Sequence, residues 1–194
     1  MSENNHQAKT KLIIVAAPSG AGKSSFVDRI TAEDTRIHDV ITYTTRSMRH
    51  HEQPGKPYYF ITKEDFEKKC ESGFFIEWAQ VHTNFYGTSY AELEGAWAKG
   101  KVGIMDIDIQ GMKTFKSKFP DAKTVFILPP SIDELKRRVI RRDGVPPADL
   151  DVRMKNAEKE MAMAHEFDVQ IINDDFERSF AEFKKIVENW LQSK

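Results

Sequence analysis

The residues with the plainest chemical purpose lie near the start of the chain. Residues 17–25 read APSGAGKSS, a run suited to wrapping backbone around phosphate. Successive amides from Ser19 through Gly20, Ala21 and Gly22 to Ser24 can point at phosphate oxygens, helped by the positive end of a following helix. Gly20 and Gly22 allow a close backbone approach that a side chain would obstruct. Lys23 supplies a cation for β- and γ-phosphates, and the Ser24 hydroxyl is a ligand for Mg2+. The strict form of this loop opens on Gly, where this chain has Ala17. An ordinary glycine-rich turn would not need strand, Gly-Lys-Ser and helix in register, so a nucleotide-phosphate loop is expected. It leaves the reaction unspecified.

Further charged groups fall where such a loop could use them. Asp106 and Asp108 close the run VGIMDID, and parallel sheets bind ligands beyond the carboxyl ends of their strands. Both carboxylates are therefore expected to face the phosphate loop. Asp106 is read as directed at Mg2+, in contact or through water. Asp108 has two readings, toward the ligand or as the cap of a helix beginning near Gln110. The basic run KRRVIRR, residues 136–142, reads alone as a solvated helix face. Beside a phosphate loop and Arg153 it reads as a lid, with Arg137 and Arg141 free to face outward.

These side chains need a frame. KLIIVAA (residues 11–17) is a short apolar run rich in branched residues, as in a strand buried on both faces. VGIMDID, TVFIL and DVQII repeat that character between helix-like stretches. Ser131 with Glu134 marks the N-terminus of a helix through IDELKRRVIRR. Apolar residues recur at helical spacing at Leu150, Met154, Ala157, Met161 and Ala164, and again at Phe176, Phe180, Phe183, Val187, Trp190 and Leu191. Strands alternating with helices predict an α/β fold with a parallel sheet. Between about residues 39 and 88 the pattern changes: ITYTT, YYFIT and FFIEWA surround one helix, KEDFEKKCES. A largely antiparallel insertion is expected there.

Composition bounds the rest. The 194 residues fit one domain with mobile parts, and 13 Phe and 3 Trp can fill its core. Charges nearly balance, 29 basic against 30 acidic, which argues against nucleic acid held by bulk electrostatics. Cys70, the single cysteine, excludes an internal disulfide and a cysteine-based metal cluster, and it reads as incidental rather than nucleophilic. No HxxxH spacing occurs among the six histidines, so no structural metal is expected. No membrane-length apolar run or apolar N-terminal core occurs, and residues 1–10 are polar and expected to be loose. A cytoplasmic protein with no membrane partner is expected.

The set APSGAGKSS, TTRSMR, YYF, FIEWAQVHTNFYGTS, MDIDIQG, ILPPS and IINDD closely resembles guanylate kinases, in the family's order, from about residue 11 to the last helix. The resemblance implies a P-loop NTPase three-layer fold, an inserted GMP-binding subdomain at about residues 39–88 and a helical lid at about residues 138–155. It implies ATP contacts at Ser19, Gly20, Ala21, Gly22, Lys23, Ser24, Ser25, Arg138 and Asn173, the last near adenine. Arg46, Arg49, Tyr58 and Tyr86 correspond to GMP-phosphate contacts. Glu77 and Asp108 correspond to guanine-reading carboxylates, with Thr42 and Thr88 as hydroxyl partners of the base. Lys23, Arg49, Arg142 and Arg153 take the catalytic positions. Guanine's N1–H and exocyclic amine suit carboxylate acceptors, whereas adenine N1 would meet a lone pair.

The implied reaction is transfer of the γ-phosphoryl of ATP to GMP or dGMP with Mg2+, by a monomer or small homo-oligomer. Attack is direct and needs no protein nucleophile, so positioning and charge neutralisation dominate. Closure of the lid and the GMP subdomain would exclude water. The chain departs from the family where Met48 and His51 replace Pro and Gly, where Phe85 precedes Tyr86, and where Asp143 follows Arg142 in place of Gly. Alternatives are a related sugar-phosphate kinase, which has no reason to place two carboxylates around guanine, and a phosphopeptide-binding module, which has no need of Lys23 and Ser24.

Overall fold

A computed structural model describes residues 11–192 other than His51 and His82. The loose N-terminal segment expected at residues 1–10 and the His51 departure lie outside the described residues. Strand β1 (Leu12–Ala16) is buried at every position, as its unbroken apolar run requires. It leads through the glycine loop into α1 (Lys23–Glu33). Then follow β2 (Ile37–Asp39), β3 (Thr42–Thr44), β4 (Tyr58–Phe60), α2 (Lys63–Glu71), β5 (Phe75–Val81) and β6 (Asn84–Ser89). The chain continues as α3 (Tyr90–Ala98), β7 (Val102–Asp106), α4 (Ile109–Lys118), β8 (Lys123–Leu128), α5 (Ile132–Asp143), α6 (Leu150–Ala162), β9 (Val169–Ile172) and α7 (Phe176–Gln192).

The larger sheet has the order β2-β7-β1-β8-β9, with β2–β7 and β8–β9 running parallel. This is the α/β class with a parallel sheet core. Strand β2, three residues long, is too short to show a period in the sequence. Its register, Ile37 beside Val102 and Asp39 beside Ile104, makes it an edge strand. At the other edge, Ile172 of β9 is 57% exposed, so that run is only half covered. Strand β7 ends at Asp106, and Asp108 lies beyond it immediately before α4.

The smaller sheet has the order β4-β3-β6-β5. Its β3–β6 and β5–β6 pairings are antiparallel, but β3 and β4 are parallel, so the sheet is mixed. The long excursion between β3 and β4 allows this, since a tight hairpin can join only antiparallel strands.

The chain divides into two compact units. Among the described residues, one comprises 11–13, Thr35–Met105 and Gln110–Ala122; the other comprises Ile14–Asp34, Asp106–Ile109 and 123–192. Within the first, Phe66 of α2 stacks on Phe75 at 4.6 Å, and Tyr43 lies 4.8 Å from Tyr59. Helix α2 is held at its start by Thr62, whose hydroxyl accepts from the Asp65 amide, a cap contributing about 1 kcal/mol. Within the second, Phe26 meets Phe176 and Phe183 edge-on at 5.2 and 5.5 Å. A separate cluster joins Ala21 of the glycine loop to Leu135 and Val139 of α5 and to Leu150, Met154 and Ala157 of α6. Ser131 caps α5, its hydroxyl accepting from the Glu134 amide at 3.1 Å. No described helix is long and apolar enough to cross a membrane.

Candidate active site

The glycine loop is shaped by backbone geometry before any ligand arrives. Gly20 and Gly22 have φ of 97° and 99°, a left-handed region costly for residues with a Cβ. Space excludes a side chain as well. A Cβ on Gly20 would stand 2.8 Å from Val139 Cγ2, and one on Gly22 would stand 2.8 Å from Asn173 Nδ2. The Ala21 amide donates to Pro18 O at 3.0 Å, tightening the turn. Gly22 caps α1 without a side-chain bond, so the first amides of that helix have no side-chain cap competing with an anion. Ala17, in the place of the usual Gly, packs against the cluster around Val139 and Leu135, which accommodates its methyl group.

Lys23 and Ser24 open α1, and both meet Asp106 at the end of β7. Ser24 Oγ donates to Asp106 Oδ2 at 2.8 Å, and Lys23 Nζ lies 3.4 Å from the same oxygen. A hydroxyl and a carboxylate oxygen placed together are hard donors of the kind Mg2+ takes, with phosphate and water filling its other positions. Among the described residues there is no cluster of three or more His, Cys, Asp or Glu side chains able to hold a metal by themselves. The donor set fits an ion carried in with a phosphate ligand. Ser19 and Ser25 flank this centre and are exposed.

Asn173 and Arg138 brace the loop from behind. Asn173 is 5% exposed, and its Nδ2 donates to Ala21 O at 2.8 Å. Its own carbonyl accepts from Arg138 Nη2 at 2.9 Å, and Arg138 Nε donates to Glu134 Oε1 at 3.0 Å. The resemblance assigned Asn173 to the adenine; in the structure its amide nitrogen is engaged with the loop backbone. Farther along α5, Arg137 is 73% exposed and pairs with Glu134, facing outward as its place in the run allowed. Arg142 and Arg153 both reach the carboxylate of Asp143.

Glu160 was missed by the sequence reading. It stands on α6 three positions after buried Ala157, an acid within an apolar stripe, and that interruption was the available signal. Burial pushes its carboxyl up to about 7; Lys23 opposes the shift and Asp108 adds to it. Asp108 itself keeps both of its sequence readings, because it directly precedes α4 while its charge is felt at Glu160.

In the other unit, strand register assembles a second set of side chains. Thr42 is paired with Tyr58 across β3–β4, and Glu77 with Thr88 across β5–β6. Tyr43 opposite Gly87 and Thr44 opposite Tyr86 set the β3–β6 register, which places Thr42 opposite Thr88 one step along. Tyr58, Thr42, Thr88 and Glu77 thus form a row across one face, and Tyr86 follows two residues from Thr88 on the same side. Thr88 Oγ1 donates to Glu77 Oε1 at 3.1 Å in a buried contact. Thr42 is 4% exposed and its Oγ1 has no hydrogen-bond partner, an arrangement that costs roughly 1–3 kcal/mol unless a ligand relieves it. Tyr58 and Tyr86 meet edge-on at 5.8 Å.

Arg46 borders this row, its guanidinium carbon 5.4 Å from the ring centres of both Tyr58 and Phe60. Its Nη2 donates to Glu52 Oε1 at 2.8 Å, and the Arg49 amide donates to Glu52 Oε2 at 2.7 Å. Burial alone would raise the Glu52 carboxyl, but these hydrogen bonds hold it below the usual carboxylate range. Glu52 therefore orients Arg46 and fixes the backbone of Arg49, whose side chain is exposed. Glu52 directly follows His51, one of the positions where the chain departs from the family, and only the fold brings it to Arg46. Cys70 is half-buried, and burial with Glu67 and Glu71 pushes its thiol up, the reverse of an activated nucleophile.

A glycine loop between β1 and α1, with its lysine and serine on a strand-end aspartate, defines a P-loop nucleotide-binding protein of the α/β class. The family model for guanylate kinase matches residues 9–190. A guanylate kinase of Bdellovibrio bacteriovorus is 68% identical over 94% of this chain and 99% of its own length. One from Polaromonas is 45% identical over 91% and 85%. The crystal structure of guanylate kinase from Anaplasma phagocytophilum superposes with a TM-score of 0.77 at 29% identity, covering 95% of this chain and 87% of that one. The chain belongs to the guanylate kinase family.

Proposed function

We propose that the two sets of side chains divide one reaction between them, the P-loop unit binding ATP and the four-stranded sheet binding GMP or dGMP. The family carries the overall chemistry: the γ-phosphoryl of ATP passes to GMP, giving ADP and GDP. A phosphate oxygen of GMP forms the new bond to the γ-phosphorus, and the bond to the β–γ bridging oxygen breaks. The acceptor oxygen is already anionic, so no protein base or nucleophile is required.

On the donor side, Ser19, Gly20, Ala21, Gly22, Ser24 and Ser25 supply the loop and helix amides, and Lys23 neutralises charge on the β- and γ-phosphates. Mg2+ would be held by Ser24 and, in contact or through water, by Asp106, and when bound it offsets phosphate charge. Arg138, Arg142 and Arg153 complete the positive surroundings of the transferring group, and Asn173, which braces the loop through Ala21 O, takes the ATP-binding place near the adenine. On the acceptor side, Arg46, Arg49, Tyr58 and Tyr86 hold the GMP phosphate, the arginines through a planar fork matched to two oxygens. Glu77 and Asp108 accept from N1–H and the exocyclic amine of guanine, with Thr42 and Thr88 completing the base contacts. The same reading implies a cytoplasmic monomer or small homo-oligomer with small-molecule partners only.

The observation that carries the acceptor assignment is the buried hydroxyl of Thr42, without a partner, in one row with Thr88 and Glu77. A site built to hydrogen-bond its ligand rejects an analogue lacking the matching groups by roughly 10⁴-fold or more. A coupled assay with ATP–Mg2+ should therefore show turnover of GMP and not of AMP, CMP, UMP or ribose bisphosphate. Glu77→Gln should raise KM for GMP with little change in ATP binding. Equal loss of both, or turnover only of the sugar phosphate, would contradict the assignment.

A further inference from the structure

We propose that Asp143 is a positioning residue that gathers Arg142 and Arg153 about one carboxylate. The inference rests on the reading that these arginines attend the transferring phosphoryl group. Helix α5 ends on Arg142 and Asp143, and Gly144 follows with φ of 77°. Asp143 Oδ1 accepts from Arg142 Nε at 2.8 Å, and Oδ2 accepts from Arg142 Nη2 at 3.3 Å. The same Oδ2 accepts from Arg153 Nη1 at 3.5 Å, reaching from α5 to α6. Arg153 is held on a further side, its Nε donating to Asp149 Oδ1 at 2.9 Å. Two long cationic side chains from different helices are thereby tied to one point.

The sequence makes this a property of the chain at hand, since Asp143 stands where the family usually has Gly. A carboxylate beside two arginines can act in either of two directions. It can compete with phosphate for their donors, or it can fix the arginines in place while leaving donors to spare. Each guanidinium carries N–H groups beyond those engaged here, so phosphate can bind without displacing Asp143. Arginine side chains otherwise lose substantial rotamer freedom on being fixed. Holding them beforehand removes part of that cost from the reaction step.

The test compares Asp143→Ala, Asp143→Asn and Asp143→Glu with the parent full-length protein, measuring kcat, both KM values, ADP affinity by calorimetry and Tm. Asp143→Ala should lower kcat roughly 3- to 10-fold, the range of one or two partly exposed ion pairs. KM for GMP, ADP affinity and Tm should stay close to the parent values, because neither GMP nor ADP presents a γ-phosphoryl group. Glu at this position should restore most of the rate, and Asn, which keeps the shape without the charge, should not. Unchanged kcat would overturn the proposal, as would a gain in kcat or ATP affinity, the mark of a competing anion. A fall in kcat accompanied by equal losses in GMP use and Tm would also overturn it, by making the role merely structural. Failure of the parent protein to phosphorylate GMP would instead remove the functional reading beneath it.

Discussion

Single residues in this protein are governed by where a carboxylate finds a cation. Glu52 is nearly enclosed and held in its charged form by Arg46 and the Arg49 amide, whereas Glu160 is half-buried with its carboxyl raised to about 7. Burial opposes the charged form in both, but Glu52 accepts hydrogen bonds from Arg46 and the Arg49 amide, while at Glu160 burial outweighs the charge of Lys23 and Asp108 adds to the shift. The sign for stability follows. A folded-state value above the ordinary 4.5 means the native protein binds more protons than the unfolded chain between about pH 4.5 and 7. Stability contributed by this group is present below that window and is lost as pH rises through it. Glu160→Gln removes the titration, so its stability relative to the parent should increase across the window and level off above it. The gain should be on the order of 2 kcal/mol, measured by urea unfolding in metal-free buffer at several pH values. A pH-independent difference would show that Glu160 is not the raised group.

Elements set the geometry that single residues exploit. The P-loop is not self-supporting: Val139 of α5 closes over Gly20, and Asn173 at the end of β9 closes over Gly22. Helix α5 was legible from its cap and its period, and Ser131 performs as the sequence implied. That its inner face would fill the space over the glycines was not legible, since nothing in KRRVIRR names the residue opposite Val139. Asn173→Ala would leave the Ala21 carbonyl without its buried donor, at a cost of about 1–3 kcal/mol in stability. ATP binding should weaken more than GMP binding, because the loop shifts while the four-stranded sheet retains its own core. Steady-state KM values for both substrates, with a denaturation curve, decide this. A parallel rise in both KM values would contradict the brace.

The chain divides into two compact units, and the proposed reading gives the glycine loop to one ligand and the four-stranded sheet to the other. GMP added alone should slow amide exchange in β3, β5 and β6, and ATP–Mg2+ added alone should slow it at residues 19–25. Hydrogen exchange followed by mass spectrometry tests this directly. Protection of the glycine loop by GMP alone would refute the division of labour. Ligand at about a hundred times its Kd should also stabilise the protein by about 2.7 kcal/mol through mass action, visible as a higher Tm.

Local chemistry was decided by the sequence alone. The glycine loop, the strand that precedes it, the caps and the apolar faces of α6 and α7 all depend on neighbours within a few residues, where spacing is itself geometry. The family motifs extended this to donor, acceptor and reaction. Tertiary structure alone decided which distant groups meet: Ser24 with Asp106, Thr42 in line with Thr88 and Glu77, Glu52 between Arg46 and Arg49, Glu160 toward Lys23, and Asp143 between two helices. It also supplied β2, too short for any period, and the parallel pairing of β3 with β4. The physical reason is the range of the forces involved. Capping, helical period and left-handed glycines are encoded within a turn or two of chain, whereas burial, cross-strand register and the charge felt by a carboxylate depend on residues that only folding brings near.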